Sequence, residues 1–219
     1  MNKNIPGGVD FDTLIKVADD TYITPAPPYP SESVFLLDEN AKVLDKNAES
    51  YPAGTIKAYG FKAGDGNYYA VDAELILDKQ YWGGYGKLID SLESFTNSTD
   101  ASKDYKGESN TDEIIKALAD YNDGYTTGAP AAEACRARTF KGKQGFLPSL
   151  GQLYDFWQHK AEVDSLASKF SLDAFSTDYY HWSSTQYSAY YSWYLTWRSG
   201  SLDSYYRNTQ RRSRAFFAL

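Results

Sequence analysis

A chain of 219 residues, 42% apolar and 23% charged, is long enough for one sizeable core, and no stretch approaches the ~18 consecutive apolar residues of a membrane span. The net charge of −7 argues against a general affinity for nucleic-acid phosphates. Cys135 is the single cysteine, which excludes an intramolecular disulfide and a cysteine-rich zinc site and leaves a small buried residue as its expected role.

Residues 1–48 are predicted as an N-terminal arm or small β element. The opening MNKNIPGGVDFDTLIKVADD carries no continuous apolar segment of the secretory type, so the sequence as it stands predicts retention in the cytoplasm, or release within a phage virion or by lysis. TPAPPYPSES is too proline-rich for helix and reads as a stiff extended connection. VFLLDENAKVL follows as a short hairpin turning at Asp38 to Ala41.

The main domain is expected over 49–219. TIKAYGF and NYYAVDAELIL, split by the turn-rich KAGDG, read as an antiparallel hairpin. Residues 82–110 read as loop, including GGYG at Gly83 to Gly86, which lacks the lysine position and strand–loop–helix setting of a phosphate loop. Three helices follow. The first is capped by Asn110, with Glu113 three residues on and Ile114, Ile115, Leu118 and Tyr121 on one face. The second starts at Pro130, and the third at Ser149, whose capping-box partner is Gln152. From Tyr179 the pattern becomes short strands: YYHWSST, SWYLTW, a turn at Arg198 to Ser201, LDSYY and RSRAFFAL. Strands, helices, then strands again define an α+β fold class.

The segment 179–219 is chemically distinct. It holds eight of the 20 tyrosines, three of the five tryptophans and five arginines, with no lysine and one acid, Asp203. Tyr, Ser, Gly and Arg are the residues of antibody-type contact surfaces. Alternation predicts that Trp182, Trp193, Leu195, Phe216 and Phe217 are core. Adjacent pairs such as Tyr190 with Tyr191 and Tyr205 with Tyr206 must point to opposite faces, so about half of the six tyrosines from Tyr187 to Tyr206 should be exposed.

GESNTDEII, AAEACR, GFLPSLGQLYDFW, YYHWSST, SWYLTW and RRSRAFFAL, in that order over about Gly107 to Leu219, resemble the C-type-lectin-like variable proteins diversified by retroelements, which include gut-bacterial and phage members. In that family, error-prone copying of adenines in a template repeat replaces Asn codons by those for Tyr, Ser, Asp, Thr, Ala, Gly and Arg. After Tyr179 one asparagine remains, Asn208, among many such products. The resemblance implies a C-type-lectin-like fold whose scaffold is Trp182, Ser183, Ser184, Trp193, Leu195, Gly200, Arg214 and Ala215. It implies ligand-binding, variable positions at Tyr187, Ala189, Tyr190, Tyr191, Tyr194, Thr196, Arg198, Ser199, Ser201, Asp203, Ser204, Tyr205 and Tyr206. Trp197 and Arg212 depart from the expected pattern and stand as further variable candidates. The implied partner is a protein or glycan on a target cell surface, with the N-terminal region attaching the chain to a phage tail or surface structure.

Other readings fare less well. Formylglycine-generating enzymes share the lectin-like fold but need more than one active-site cysteine. Calcium-dependent sugar binding needs carboxylate-rich loop motifs that do not occur. His159 and His181 are too few for a histidine-based metal or catalytic site; His159 is expected at a helix end and His181 in or under the binding face. Asp203 lacks a local carboxylate partner for glycoside hydrolysis. The expectation is therefore a binding protein, not an enzyme, with no cofactor and no metal. The rival is a structural or decoration subunit of a virion or surface appendage with one fixed protein partner.

Overall fold

The computed structural model describes residues 15–18, 21–23, 29–31, 33–175 and 180–219. Thr24 to Pro28 and Glu32, most of the predicted proline-stiffened connection, lie outside the described residues, as does Tyr179. Strands β1 (Ile15–Ala18) and β2 (Thr21–Ile23) form an antiparallel ribbon.

Hairpins local in sequence build the main sheet. Strands β3 (Phe35–Leu37) and β4 (Val43–Leu44) pair across a turn in which Asp38 Oδ1 accepts the amides of Asn40 and Lys42. Strands β5 (Ala58–Lys62) and β6 (Tyr68–Asp72) pair across KAGDG, where Asp65 Oδ1 accepts the Asn67 amide. β3 also pairs with β5, placing Leu36 opposite Tyr59. The hairpin assigned to the arm is therefore part of the main sheet, and a boundary at 48 would cut through that sheet. The run Val34 to Leu37 is buried throughout, as an internal strand covered on both faces requires.

After β7 (Gln80–Tyr81) come the helices. α1 (Ser98–Ala101) is capped by Asn97, and α2 spans Gly107–Leu118. α2 begins a turn earlier than predicted, with Lys106 rather than Asn110 at its N-cap. Asn110 instead points inward and donates to Asp104 Oδ2 at 2.9 Å. The nearly buried Asp104 also accepts the Lys106 amide and the Thr185 hydroxyl, and so ties the helix start to the C-terminal strands. α3 (Pro130–Arg136) starts at its proline, followed by the small hairpin of β8 (Thr139–Phe140) and β9 (Lys143–Gln144). α4 (Leu150–Gln158) carries the expected capping box, with Ser149 N donating to Gln152 Oε1 at 3.0 Å.

The described residues hold five helices, not three. α1 is a single turn, and α5 (Lys160–Phe170) follows α4 after His159 alone. α5 buries Val163, Leu166 and Ala167 at helical spacing. His159 sits at a helix end, as expected.

The C-terminal strands β10 (Tyr180–Gln186), β11 (Tyr191–Thr196) and β12 (Leu202–Tyr206) form an antiparallel three-stranded sheet in that order. β13 (Gln210–Arg211) pairs with β7. β14 (Phe216–Ala218) closes the main sheet, whose order is β14-β6-β5-β3-β4.

Neighbouring residues on the main sheet feed two different cores. Phe35, Leu37 and Phe217 join Trp82, Ile114, Leu118, Ala131 and Trp182; Leu36, Tyr59 and Phe216 join Phe156, Val163, Phe175 and Trp197. α2 and α3 thus cover one face and α4 and α5 the other, consistent with an α+β class. Cys135 is buried in the first core, and burial drives its thiol pKa well up.

Burial also raises several phenols: Tyr59 strongly, and Tyr69 up to about 12, with a hydrogen bond to Asp65 as the second cause. A phenol whose folded pKa is raised favours the folded state below the unfolded value near ~10 and loses that contribution as pH climbs toward the folded value. Urea melts at stepped alkaline pH should show stability constant below about pH 9.5 and falling between ~10 and ~12. Tyr69→Phe should flatten part of that fall.

Candidate binding face

The end of the molecule where β10 turns into β11 is organised by Arg207. This residue is fully buried, its guanidinium carbon 4.1 Å from the Trp82 ring centre. Its Nη1 donates to Lys87 O at 3.0 Å, Nη2 to Gln186 Oε1 at 2.8 Å and Nε to Tyr191 O at 3.3 Å. Its backbone accepts from Trp82 N and donates to Tyr190 O. Burial pulls the guanidinium pKa down to about 9, which leaves it cationic at neutral pH. Gln186 completes the junction by accepting Ile89 N and donating to Ile89 O and Ser94 Oγ. Four separate chain segments are therefore held by one cation and one amide.

Above this junction lies a group of tyrosine rings. Tyr190, Tyr205 and Tyr206 are exposed at 49%, 43% and 41%, Tyr187 and Tyr191 are half-buried, and Tyr194 is buried at 7%. Three of the six are exposed. Tyr191 and Tyr206 face each other across β11 and β12 with ring centres 4.4 Å apart, while Tyr205 lies on the opposite side of the strand. The interaction with the Tyr206 hydroxyl, followed by burial, pushes the Tyr191 phenol up to about 12.

Two further members come from outside the C-terminal segment. Tyr85 of GGYG stands 5.1 Å from Tyr190 and 6.0 Å from Tyr206, and Tyr125 stands 5.8 Å from Tyr85. Asp123 fixes both backbones, accepting the Tyr85 amide on Oδ2 and the Tyr125 amide on Oδ1. Gly83, at φ +90 and with the Gly128 carbonyl 2.3 Å from where a Cβ would stand, lets the two loops touch. GGYG and the DGY turn were legible as loops, but nothing in their spacing marked Tyr85 and Tyr125 as neighbours of the C-terminal strands.

The thirteen residues implied as contact positions do not form one patch. Tyr187, Ala189, Tyr190, Tyr191, Tyr205 and Tyr206 gather at the Arg207 end. Thr196, Arg198, Ser199 and Ser201 surround the turn at the other end of β11, five strand residues or about 17 Å away. Asp203 and Ser204 lie between, the Asp203 carboxylate taking the Ser204 amide and a 3.4 Å contact from the Tyr194 hydroxyl. Gly200 is a scaffold residue for a geometric reason: its φ is +71 and a Cβ would meet the Trp157 ring.

Trp182, Ser183, Ser184, Trp193, Leu195, Arg214 and Ala215 are buried. Trp197, a further variable candidate, is instead a fully buried core residue stacked 4.4 Å from Phe175, with Nε1 donating to Asp164. Arg212 donates to the carbonyls of Ile76 and Leu77. His181 is 1% exposed, in the core beside Phe175 and Trp197, at the end of β10 away from the Arg207 junction. Arg214 is sealed in the core, its Nη1 on the carbonyls of Asp72 and Ala73. Most of the arginines that set this segment apart are thus internal braces.

A cleft of about 650 Å³ lined by Asn67, Tyr105, Lys106 and Asp112 shares no residue with the aromatic face. Among the described residues no group of three or more His, Cys, Asp or Glu is placed to hold a metal ion, and no helix is long and apolar enough to cross a membrane.

No protein-family model matches the chain, and no curated protein does. A solved structure does: a fimbrial protein from Bacteroides ovatus ATCC 8483, with a TM-score of 0.59 at 10% identity over 84% of this chain and 48% of its own. The chain therefore spans about half the length of that protein. The likeness is one of fold.

Arg207→Met should cost about 3 kcal/mol in urea unfolding, because it strands buried acceptors at Lys87 and Tyr191. The same variant should loosen residues 83–95 and 187–191, read as faster amide hydrogen exchange there than in β5 and β6.

Proposed function

We propose that this chain is a ligand-binding protein that displays a tyrosine-rich face on a C-type-lectin-like scaffold diversified by retroelement mutagenesis, and that it acts from a surface appendage. The observation that carries the reading is the mutual packing of Tyr85, Tyr125, Tyr190, Tyr191 and Tyr206 at the surface, over a backbone fixed by the buried Arg207. A rigid aromatic platform loses little entropy on binding, and its hydroxyls offer adaptable hydrogen bonds. The separation of tasks supports diversification: the bracing residues are buried, whereas Tyr190, Tyr205, Tyr206, Arg198, Ser199 and Ser201 are exposed and changeable at a cost within about ±0.5 kcal/mol each. The ligand is a protein or glycan on a target cell, and the face carries no catalytic role. The fold likeness to a fimbrial protein supports display on an appendage.

That likeness also favours a second reading, a structural subunit whose tyrosine face packs on one fixed partner. Sequencing the 3′ end of the gene from many cells or phages of one population separates the two. Diversification predicts changes concentrated in the thirteen contact codons, with Trp182, Trp193, Gly200, Tyr85 and Tyr125 constant. A uniform 3′ end would leave the structural subunit. On either reading, Tyr190→Ser with Tyr206→Ser should move the melting temperature by no more than about 3 °C, since neither ring fills the core.

A further inference from the structure

Arg211, on β13 next to Tyr205, is a mostly buried cation to which the described residues offer no hydrogen-bond acceptor. It is 7% exposed, and its guanidinium carbon lies 4.0 Å from the Tyr194 ring centre, 4.7 Å from those of Tyr180 and Tyr205 and 5.2 Å from that of Trp182. Its Nε is sealed from solvent without a hydrogen-bond partner. Among the described residues the guanidinium makes no hydrogen bond and no ion pair. Arg207, comparably buried, places Nε, Nη1 and Nη2 on named oxygens, and Arg214 places Nη1 and Nη2 on main-chain carbonyls although its Nε too is sealed without a partner. Arg211 differs from both in having no acceptor among the described residues on either Nη. Buried cations are ordinarily paired or fully hydrogen-bonded, so Arg211 is the exception to explain.

Four aromatic rings stabilise the cation through their faces but accept nothing from its N–H edge. The group that matches a guanidinium edge is a planar carboxylate, bound by two parallel N–H···O contacts. Tyr180 and Tyr205, 44% and 43% exposed, flank the cage and open it to the surface, the Tyr205 ring reaching to 5.6 Å from that of Tyr206 at the strand edge. The nearby acid, Asp203, has its oxygens turned to Ser204 N and the Tyr194 hydroxyl.

Resting on the binding-face reading above, we propose that Arg211 anchors a carboxylate of the ligand, supplied by an Asp or Glu side chain of a protein partner. A protein source fits better than a polyanionic glycan. The chain carries −7, and Asp203 stands beside the cage, so a run of anionic groups is repelled more strongly than a single carboxylate. The exposed rings of Tyr180 and Tyr205, with Tyr206 next to Tyr205, suit apolar neighbours of that carboxylate, the arrangement in which a desolvated charge pair holds most of an interface together.

The test follows the Arg211 Nε–H signal by NMR on the full chain, assigned by its loss in Arg211→Met. Three probes are added: blocked Leu-Glu-Leu, blocked Leu-Gln-Leu and an oligogalacturonate. The expected result is a saturable shift with the Glu peptide, bound about tenfold or more tighter than the Gln peptide, and no shift with the oligogalacturonate. Arg211→Met should lose the discrimination between Glu and Gln peptides while melting at the same or a higher temperature, since an apolar side chain replaces an unpaired buried charge. A shift with the oligogalacturonate but not the Glu peptide overturns the protein source. No discrimination by the wild type, or a melting temperature lowered by more than about 5 °C in Arg211→Met, overturns the anchor and makes Arg211 a structural brace. Those outcomes leave the population sequencing as the separate test of the binding face.

Discussion

A buried guanidinium with three hydrogen bonds to main-chain and amide oxygens is the constraint on which this face depends. Arg207 is not neutralised by a carboxylate among the described residues; it spends its donors on Lys87 O, Gln186 Oε1 and Tyr191 O and rests on Trp82. Taking the cation out of water is costly, and the cost is offset only if every one of those acceptors stays in place. The requirement works in both directions: the cation immobilises the loops, and the loops keep the cation satisfied. Tyr85, Tyr190, Tyr191 and Tyr206 stand on the backbone that this arrangement makes rigid.

The main sheet supplies the foundation. Strict alternation in β3 and β14 sends Phe35 and Phe217 to one core and Leu36 and Phe216 to the other, so each strand end glues two helix layers. The three-stranded sheet hangs from these cores through Trp182 and Tyr194 on one side and Leu195 on the other. Its outer strand, β12, is left to carry Asp203, Tyr205 and Tyr206 toward solvent. Solvent-facing side chains on such an edge strand can be substituted without disturbing what lies beneath.

Much of this was legible in the sequence because local chemistry and tertiary packing agree. The Asp38 and Asp65 turns, the proline start of α3, the Ser149–Gln152 box and the burial of Trp182 and Trp193 all follow from short-range rules, whereas Trp197 reads as variable and is core. The misses have a common cause in contacts distant along the chain. Asn110 has the chemistry of a cap, yet Asp104 and Thr185 draw it inward. α5 carries no cap signal because it starts from the residue that ends α4. The hairpin of β3 and β4 looked like an arm because its partner, β5, lies beyond a polar turn. Arginine posed the sharpest ambiguity: in a segment rich in Tyr and Ser it reads as a contact residue, whereas Arg207 and Arg214 are internal. Composition records which residues are present but not which side of the sheet they serve.

Tyr85 and Tyr125 belong to loops far upstream of the segment 179–219, yet they form one shoulder of the platform. If the proposed diversification rewrites only the terminal segment, every variant inherits that shoulder unchanged. Each new surface would then be a fresh half joined to a constant half, and the repertoire would be biased from birth toward ligands that tolerate the same two rings. Such a bias narrows what can be found while raising the chance that any one variant binds at all.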